Sequence, residues 1–351
     1  MKTTTKLFSL MILVFGFALI GASCGGDDSA APAEAPAEEP AAPAKAEAPV
    51  RLAVFVGAKE NAYWTAQLLA ATARAEELGA TVQGFGAEFD PAKQVAQIED
   101  AIVSGEYDAF LISAVDGTAV VPAIEEAIAE GITVVCLFVC GPDPTLWENQ
   151  IEGVVSMVDL PRDVEGRLGG ESAVKFCGDR DPCNVIYLPG LFVLSGEEAR
   201  KQGVLEVLDQ HDNIHVVAEA EGGYLADQSY QLTKDLLLTH DDVHLILSVA
   251  DQQSIGAEQA LIEAGLENDI KIASMAASRL AVEALREKRP AWYSTVTRIP
   301  QDEAALAAEF AVGAARGETG FPDTVNPLEY FDVPPFITQE NAADFEAQWE
   351  G

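Results

Sequence analysis

From residue 50 onward, short apolar runs alternate with longer stretches whose apolar residues recur every three or four positions. Residues 52–56 (LAVFV) form an apolar, partly β-branched run of strand length, the mark of a strand buried on both faces. Residues 65–79 (TAQLLAATARAEELG) carry the helical period and stop at Gly79. The same rhythm predicts strands at 81–86, 107–113, 132–139 and 153–158, with helices at 91–105, 117–131 and 163–176. It then restarts, with strands at 184–190, 215–222, 243–250 and 270–275 and helices at 197–210, 227–240, 252–265 and 279–288. Strand and helix alternating in this way give parallel sheets with right-handed crossovers. Two such runs joined near residue 157 predict two similar Rossmann-like α/β lobes with a cleft between them.

In an open α/β sheet, ligands are met just past the carboxyl ends of the strands. The first strand exit reads GAKENAYW, which places Lys59, Asn61, Tyr63 and Trp64 there. Packing of the first helix onto the sheet accounts for either aromatic alone. Two aromatics beside an Asn at a strand exit point to a binding loop.

The front of the chain changes the picture of where this fold works. Lys2 and Lys6 precede an apolar stretch at 7–20, too short for a stable membrane span, so residues 1–23 read as a signal peptide. Ala22-Ser23-Cys24 resembles a bacterial lipoprotein cleavage box, with Gly21 where Leu is usual; ordinary cleavage nearby is the alternative. Residues 24–49, rich in Ala, Pro and Glu, have no apolar face to bury and read as a solvated tether.

The ~300 residues that follow exceed one ordinary core and suit two lobes. With 21 basic and 57 acidic residues the net charge is −36, which repels phosphate backbones and argues against nucleic-acid binding. Beyond Cys24 there are four cysteines, Cys136, Cys140, Cys177 and Cys183. In an exported chain they imply two disulfides with three connectivities, the local Cys177–Cys183 staple being the first choice. The CxxxC and CxxxxxC spacings fit zinc poorly.

Other motifs carry little. GFGAEF follows the second strand and lacks a third Gly, so it is no dinucleotide fingerprint. His211/His215 and His240/His244 precede strands, away from the cleft, and read as solvated loop residues. Ser195 sits in no GxSxG elbow, and nothing argues for catalysis, a metal or a cofactor.

The opening strand–NAYW–helix, DPAKQVAQIEDAIVSGEYDAFLIS, GTAVVPAIEEAIAEGITVV, LLLTHDDVHLILSVADQQSIGA and STVTRIPQDEAALAAEF together cover residues 50 to about 335. In order and spacing this chain resembles the type I periplasmic solute-binding proteins, the ribose/galactose-binding-like receptors of ABC transporters. The resemblance implies a three-stranded hinge. It also implies an N-terminal lobe of 50–157 plus 300–326 and a C-terminal lobe of 158–299 plus 327–340, with residues 327–333 (PLEYFDV) strand-like near the hinge.

The family's ring-stacking aromatics fall on Tyr63 and Trp64, with Asn61 as polar neighbour. Its Asp-Arg pair after the fourth strand is Phe138-Val139 here. In the second lobe an Arg on the first helix falls on Gln202 and an aromatic after the second strand on Tyr224. An Asn-Asp pair becomes Ala250-Asp251, a Phe-Asp pair Met275-Ala276, and the Gln before the return crossover Arg298. The missing carboxylates, with Lys59 and Arg298 added, imply a flatter, less hydroxylated solute, and a carboxylate on it would suit Arg298. An interlobe salt bridge is the other reading of Arg298. The expected function is that of an exported receptor which closes its hinge on a solute and docks on an ABC permease, as a monomer held at the membrane through Cys24. Presentation of the ligand to a sensor kinase or chemoreceptor is the alternative.

Overall fold

The computed structural model describes residues 48–138, 140–143 and 145–351. The signal segment, Cys24 and nearly all of the tether lie outside the described residues, as does Val139. Residues Ala48–Gly351 form one compact unit built on two six-stranded sheets.

The first sheet contains β1 (Arg51–Val56), β2 (Thr81–Gly86), β3 (Ala109–Ile112), β4 (Thr133–Cys136) and β5 (Val154–Val158), with α1 (Ala62–Glu77), α2 (Pro91–Ser104) and α3 (Val121–Ala129) between them. The chain crosses over into α4 (Arg162–Cys177) and then β6 (Cys183–Leu188), α5 (Gly196–Leu208), β7 (Ile214–Glu219), α6 (Ala226–Thr239), β8 (Leu245–Ser248), α7 (Asp251–Ala264), β9 (Lys271–Met275), α8 (Arg279–Arg286) and β10 (Trp292–Val296). It returns through α9 (Pro300–Ala315), which packs on α1, and adds β11 (Thr324–Val325) to the first sheet. A last crossover runs through α10 (Pro327–Tyr330) to β12 (Phe336–Thr338), antiparallel to β10 in the second sheet. The orders β11-β5-β4-β3-β1-β2 and β12-β10-β9-β8-β6-β7 are thus the same plan twice. PLEYFDV is not strand-like: Asn326 Oδ1 accepts from Leu328 N at 3.1 Å and Pro327 starts a helical turn, so the strands flank it.

The local signals act as their chemistry requires. β3 and β8 are buried at every position, as parallel strands covered on both faces must be. α2 begins at Asp90, whose Oδ1 accepts from Ala92 N, and ends at Gly105 in the left-handed conformation that favours glycine. Both cysteine pairs are local, Cys136–Cys140 and Cys177–Cys183; the first brackets the turn that carries Phe138.

One packing detail positions the site. α4 and α5 approach backbone to backbone, because a Cβ at Gly166 would strike the Arg200 carbonyl oxygen and one at Gly203 the Asp163 carbonyl oxygen. The missing side chains bring Arg162 and Glu165 of α4 beside Glu197 and Arg200 of α5. Gly203→Ala should therefore lower stability by about 1–3 kcal/mol through overpacking against rigid backbone. A shifted urea midpoint with unchanged slope is the readout, and an unshifted midpoint would show that the helices can separate freely.

Candidate functional site

The two sheets meet with their carboxyl edges facing a cavity of about 90 Å³. At ~15 Å³ per water it holds about six waters, the bulk of a small organic solute. Gly117 N donates to Ser195 Oγ at 2.9 Å across the cleft, so the lobes touch there directly.

One wall is aromatic. Asn61 caps α1, its Oδ1 accepting from Tyr63 N at 3.0 Å, which sets the two rings that follow. Trp64 lies over Gly57, where a Cβ would collide with the indole, and packs at 4.9 Å from the Phe89 ring. Phe138 stands 6.2 Å from both Tyr63 and Trp64. The buried Nε1–H of Trp64 has no acceptor among the described residues. Trp349 closes this wall, edge-on to Tyr63 at 5.4 Å.

The other wall is ionic and buried. Arg298 sits on the β10–α9 crossover and Asp159 on the β5–α4 crossover; Arg298 Nη2 donates to Asp159 Oδ1 at 2.7 Å and to Glu303 Oε2 at 3.1 Å. Its Nε donates to the Tyr63 hydroxyl at 3.1 Å. Glu165 is the hub: its Oε2 accepts from Arg162 at 2.9 Å and Arg200 at 3.1 Å and lies 3.7 Å from Arg298. Arg200 also pairs with Glu197 and donates to the Tyr224 hydroxyl at 3.1 Å, and Tyr224 donates to Glu197. Arg162 places its guanidinium 4.2 Å over the Phe138 ring, a cation–π contact between α4 and the turn after β4.

The electrostatics follow from burial and partners. Burial would raise Glu165, but the guanidiniums of Arg200, Arg298 and Arg162 outweigh it and hold the carboxyl at about 2. Asp159 and Glu303 go the other way: burial raises both, and their Arg partners only partly offset it. Asp159 Oδ2 and Glu303 Oε1 have no donor among the described residues. Burial also raises the Tyr63 hydroxyl, keeping it a neutral donor to Glu303 at 3.2 Å.

Asn61, Tyr63, Trp64, Phe138, Tyr224 and Arg298 do converge on the cavity. Lys59, Gln202, Asp251 and Met275 do not. Lys59 is exposed and donates to Gly84 O at 2.6 Å. Gln202 points to solvent and donates to Glu198 at 3.1 Å; the cavity-facing cation of that helix is Arg200, two places earlier. Met275 is in the core against Gly169. Asp251 is wholly buried, accepting from Ser278 N at 2.6 Å and Thr295 Oγ1 at 3.0 Å. Arg298, although it lines the cavity, donates to Asp159 and Glu303, as the salt-bridge reading of this residue expects. Arg162, Glu165, Glu197, Arg200 and Trp349 join the site without having been singled out in the sequence. The described residues contain no group of three or more His, Cys, Asp or Glu arranged for a metal.

A family model described as "Periplasmic binding protein domain" matches residues 52–319. The ribose import binding protein RbsB of Bacillus subtilis is 26% identical over 246 residues, 70% of this chain and 74% of that protein. Among solved structures, a Mycobacterium smegmatis ABC transporter solute-binding protein with bound glycerol superposes with a TM-score of 0.73 at 24% identity, covering 87% of this chain and 100% of that one. A 5-methylthioribose transporter solute-binding protein from Thermotoga lettingae, bound to 5-methylthioribose, gives 0.72 at 23% identity over 84% of this chain and 87% of that one. The match runs from the first strand of one sheet through the helix that returns from the other, and on that span this chain belongs to the periplasmic binding protein family.

Proposed function

We propose that this protein captures a compact, sparsely hydroxylated sugar derivative between its lobes and delivers it to an ABC permease. The observation that carries the ligand class is the state of the cavity's charged groups. Glu165 and Glu197 accept from Arg162, Arg200 and Tyr224, so the carboxylates are already engaged by the protein's own donors. A hydroxyl left unpaired in a closed cleft costs about 1–3 kcal/mol, which penalises a fully hydroxylated hexose several times over. Aromatic faces from Tyr63, Trp64, Phe138 and Trp349 favour an apolar face, and Trp64 Nε1–H asks for one acceptor. The 5-methylthioribose in the Thermotoga relative has this mixed character, a sugar ring with a thioether in place of a hydroxyl.

A thermal-shift panel of D-ribose, D-allose, myo-inositol, glycerol and 5-methylthioribose tests the reading. A ligand at about 100 times its Kd adds ~2.7 kcal/mol of stability, a shift of several degrees. The largest shift is expected from 5-methylthioribose; a larger one from D-allose or myo-inositol would overturn the ligand class. Membrane attachment through Cys24 and a monomeric state complete the proposal. Loss of membrane association in Cys24→Ala and a light-scattering mass of one chain are the expected results.

A further inference from the structure

The segment after β12 does something that neither sheet accounts for. Gln348 Oε1 accepts from Gln301 N at 3.0 Å and Asp302 N at 3.1 Å, capping the first turn of α9, which packs on the first lobe. The carbonyls of the next two residues, Trp349 and Glu350, accept from Arg279 N at 2.8 Å and Leu280 N at 3.1 Å in the first turn of α8, in the second lobe. Glu350 also pairs with Arg279. Between these two anchors Trp349 turns inward, 5% exposed, donating from Nε1 to Ala276 O at 2.8 Å and meeting Tyr63 edge-on. Three consecutive residues thus satisfy helix N-termini on opposite lobes, donors that would otherwise need water.

We infer that residues 345–351 form a strap that latches the lobes together, and that Trp349 is a wall of the solute cavity supplied from outside both sheets. This rests on the reading of that cavity as the solute site. Parting the lobes must break the Gln348 contacts or those of Trp349 and Glu350, so the strap biases the molecule towards closure and narrows what the cleft admits.

The test needs no solute, so it stands apart from the ligand class. Amide hydrogen exchange is read at Gly117, whose N–H bonds across the cleft to Ser195 Oγ. Leu111, inside β3, serves as the folding control. Trp349→Ala should raise exchange at Gly117 at least tenfold while leaving Leu111 unchanged, and Trp349→Phe, which keeps the ring, should stay near wild type. Gln348→Ala, which removes one anchor without touching the indole, should move Gly117 in the same direction and covers the case where Trp349→Ala also loosens Leu111. Wild-type exchange at Gly117 in both truncations would overturn the latch. Added indole should restore protection in Trp349→Ala alone by refilling the wall; no effect of indole would overturn the placement of Trp349 at the cavity.

Discussion

Arg298→Met should lower the stability of the fold by about 3–5 kcal/mol, the range for removing one partner from a buried ion pair. Arg298 is 1% exposed, and its guanidinium is the shared donor to Asp159 and Glu303, neither of which has water to fall back on. A thioether of similar length fills the space but leaves Asp159 with only Arg162, at 3.4 Å, and Glu303 with only the Tyr63 hydroxyl. Those carboxyls can escape by protonating, since burial already raises both. The loss should therefore be larger at pH 8 than at pH 5. The triple variant Arg298→Met, Asp159→Asn, Glu303→Gln should recover most of it, because replacing a whole buried network is far less costly than breaking it. Urea midpoints of the three proteins check this. A loss below about 1 kcal/mol in the single variant at pH 8 would mean that the hinge admits water.

The position of this network has a functional consequence. Asp159 and Arg298 lie on two of the crossover segments, and Tyr63, which receives the Arg298 Nε–H, is in the aromatic wall. Hinge and cavity are thus one hydrogen-bonded body. In the proposed closure, a solute that moves Tyr63 would act directly on these crossover segments.

The architecture was legible because parallel strands buried on both faces have to be continuous apolar runs, as at Val54–Val56 and Leu245–Leu247. The aromatic wall was legible for a related reason: a strand exit is a fixed place, so Asn61, Tyr63 and Trp64 could be put there by counting. The ionic wall was not. Nothing in the spacing of Arg162, Glu165 and Arg200 marks them as facing one another; that depends on Gly166 and Gly203, which let α4 and α5 close on one another. Gln202, which the resemblance implies, lies two positions from the cavity-facing Arg200, and on a helix that is about 200° of rotation and the opposite face. The Phe138-Val139 turn carries no charge in its sequence, and the cation beside Phe138 is Arg162, which is distant in sequence. Trp349 follows β12 in a segment with no period of either kind, so nothing local marked it.

Asp251 gives the second large expectation, a stability that falls as pH rises. Burial pushes this carboxyl up to about 6 even though Ser274, Ser278 and Thr295 all donate hydrogen bonds to it. In the unfolded chain it titrates near ~3.9. Between those values the folded protein holds a proton that the unfolded chain has lost, so the contribution is fully present below about pH 4 and is lost as pH rises through 6. The whole effect is about 3 kcal/mol, and about half of it falls between pH 5 and 7.5. That window also stays above the isoelectric point of 4.2, where an acidic chain associates. Asp251→Asn cannot titrate, so the stability of the wild type relative to the variant should drop by roughly 1.4 kcal/mol from pH 5 to 7.5 in urea unfolding. Asp159 and Glu303 contribute the same background to both proteins and cancel in the difference. A difference that stays flat with pH would place the Asp251 carboxylate in contact with water, contrary to its complete burial at the start of α7.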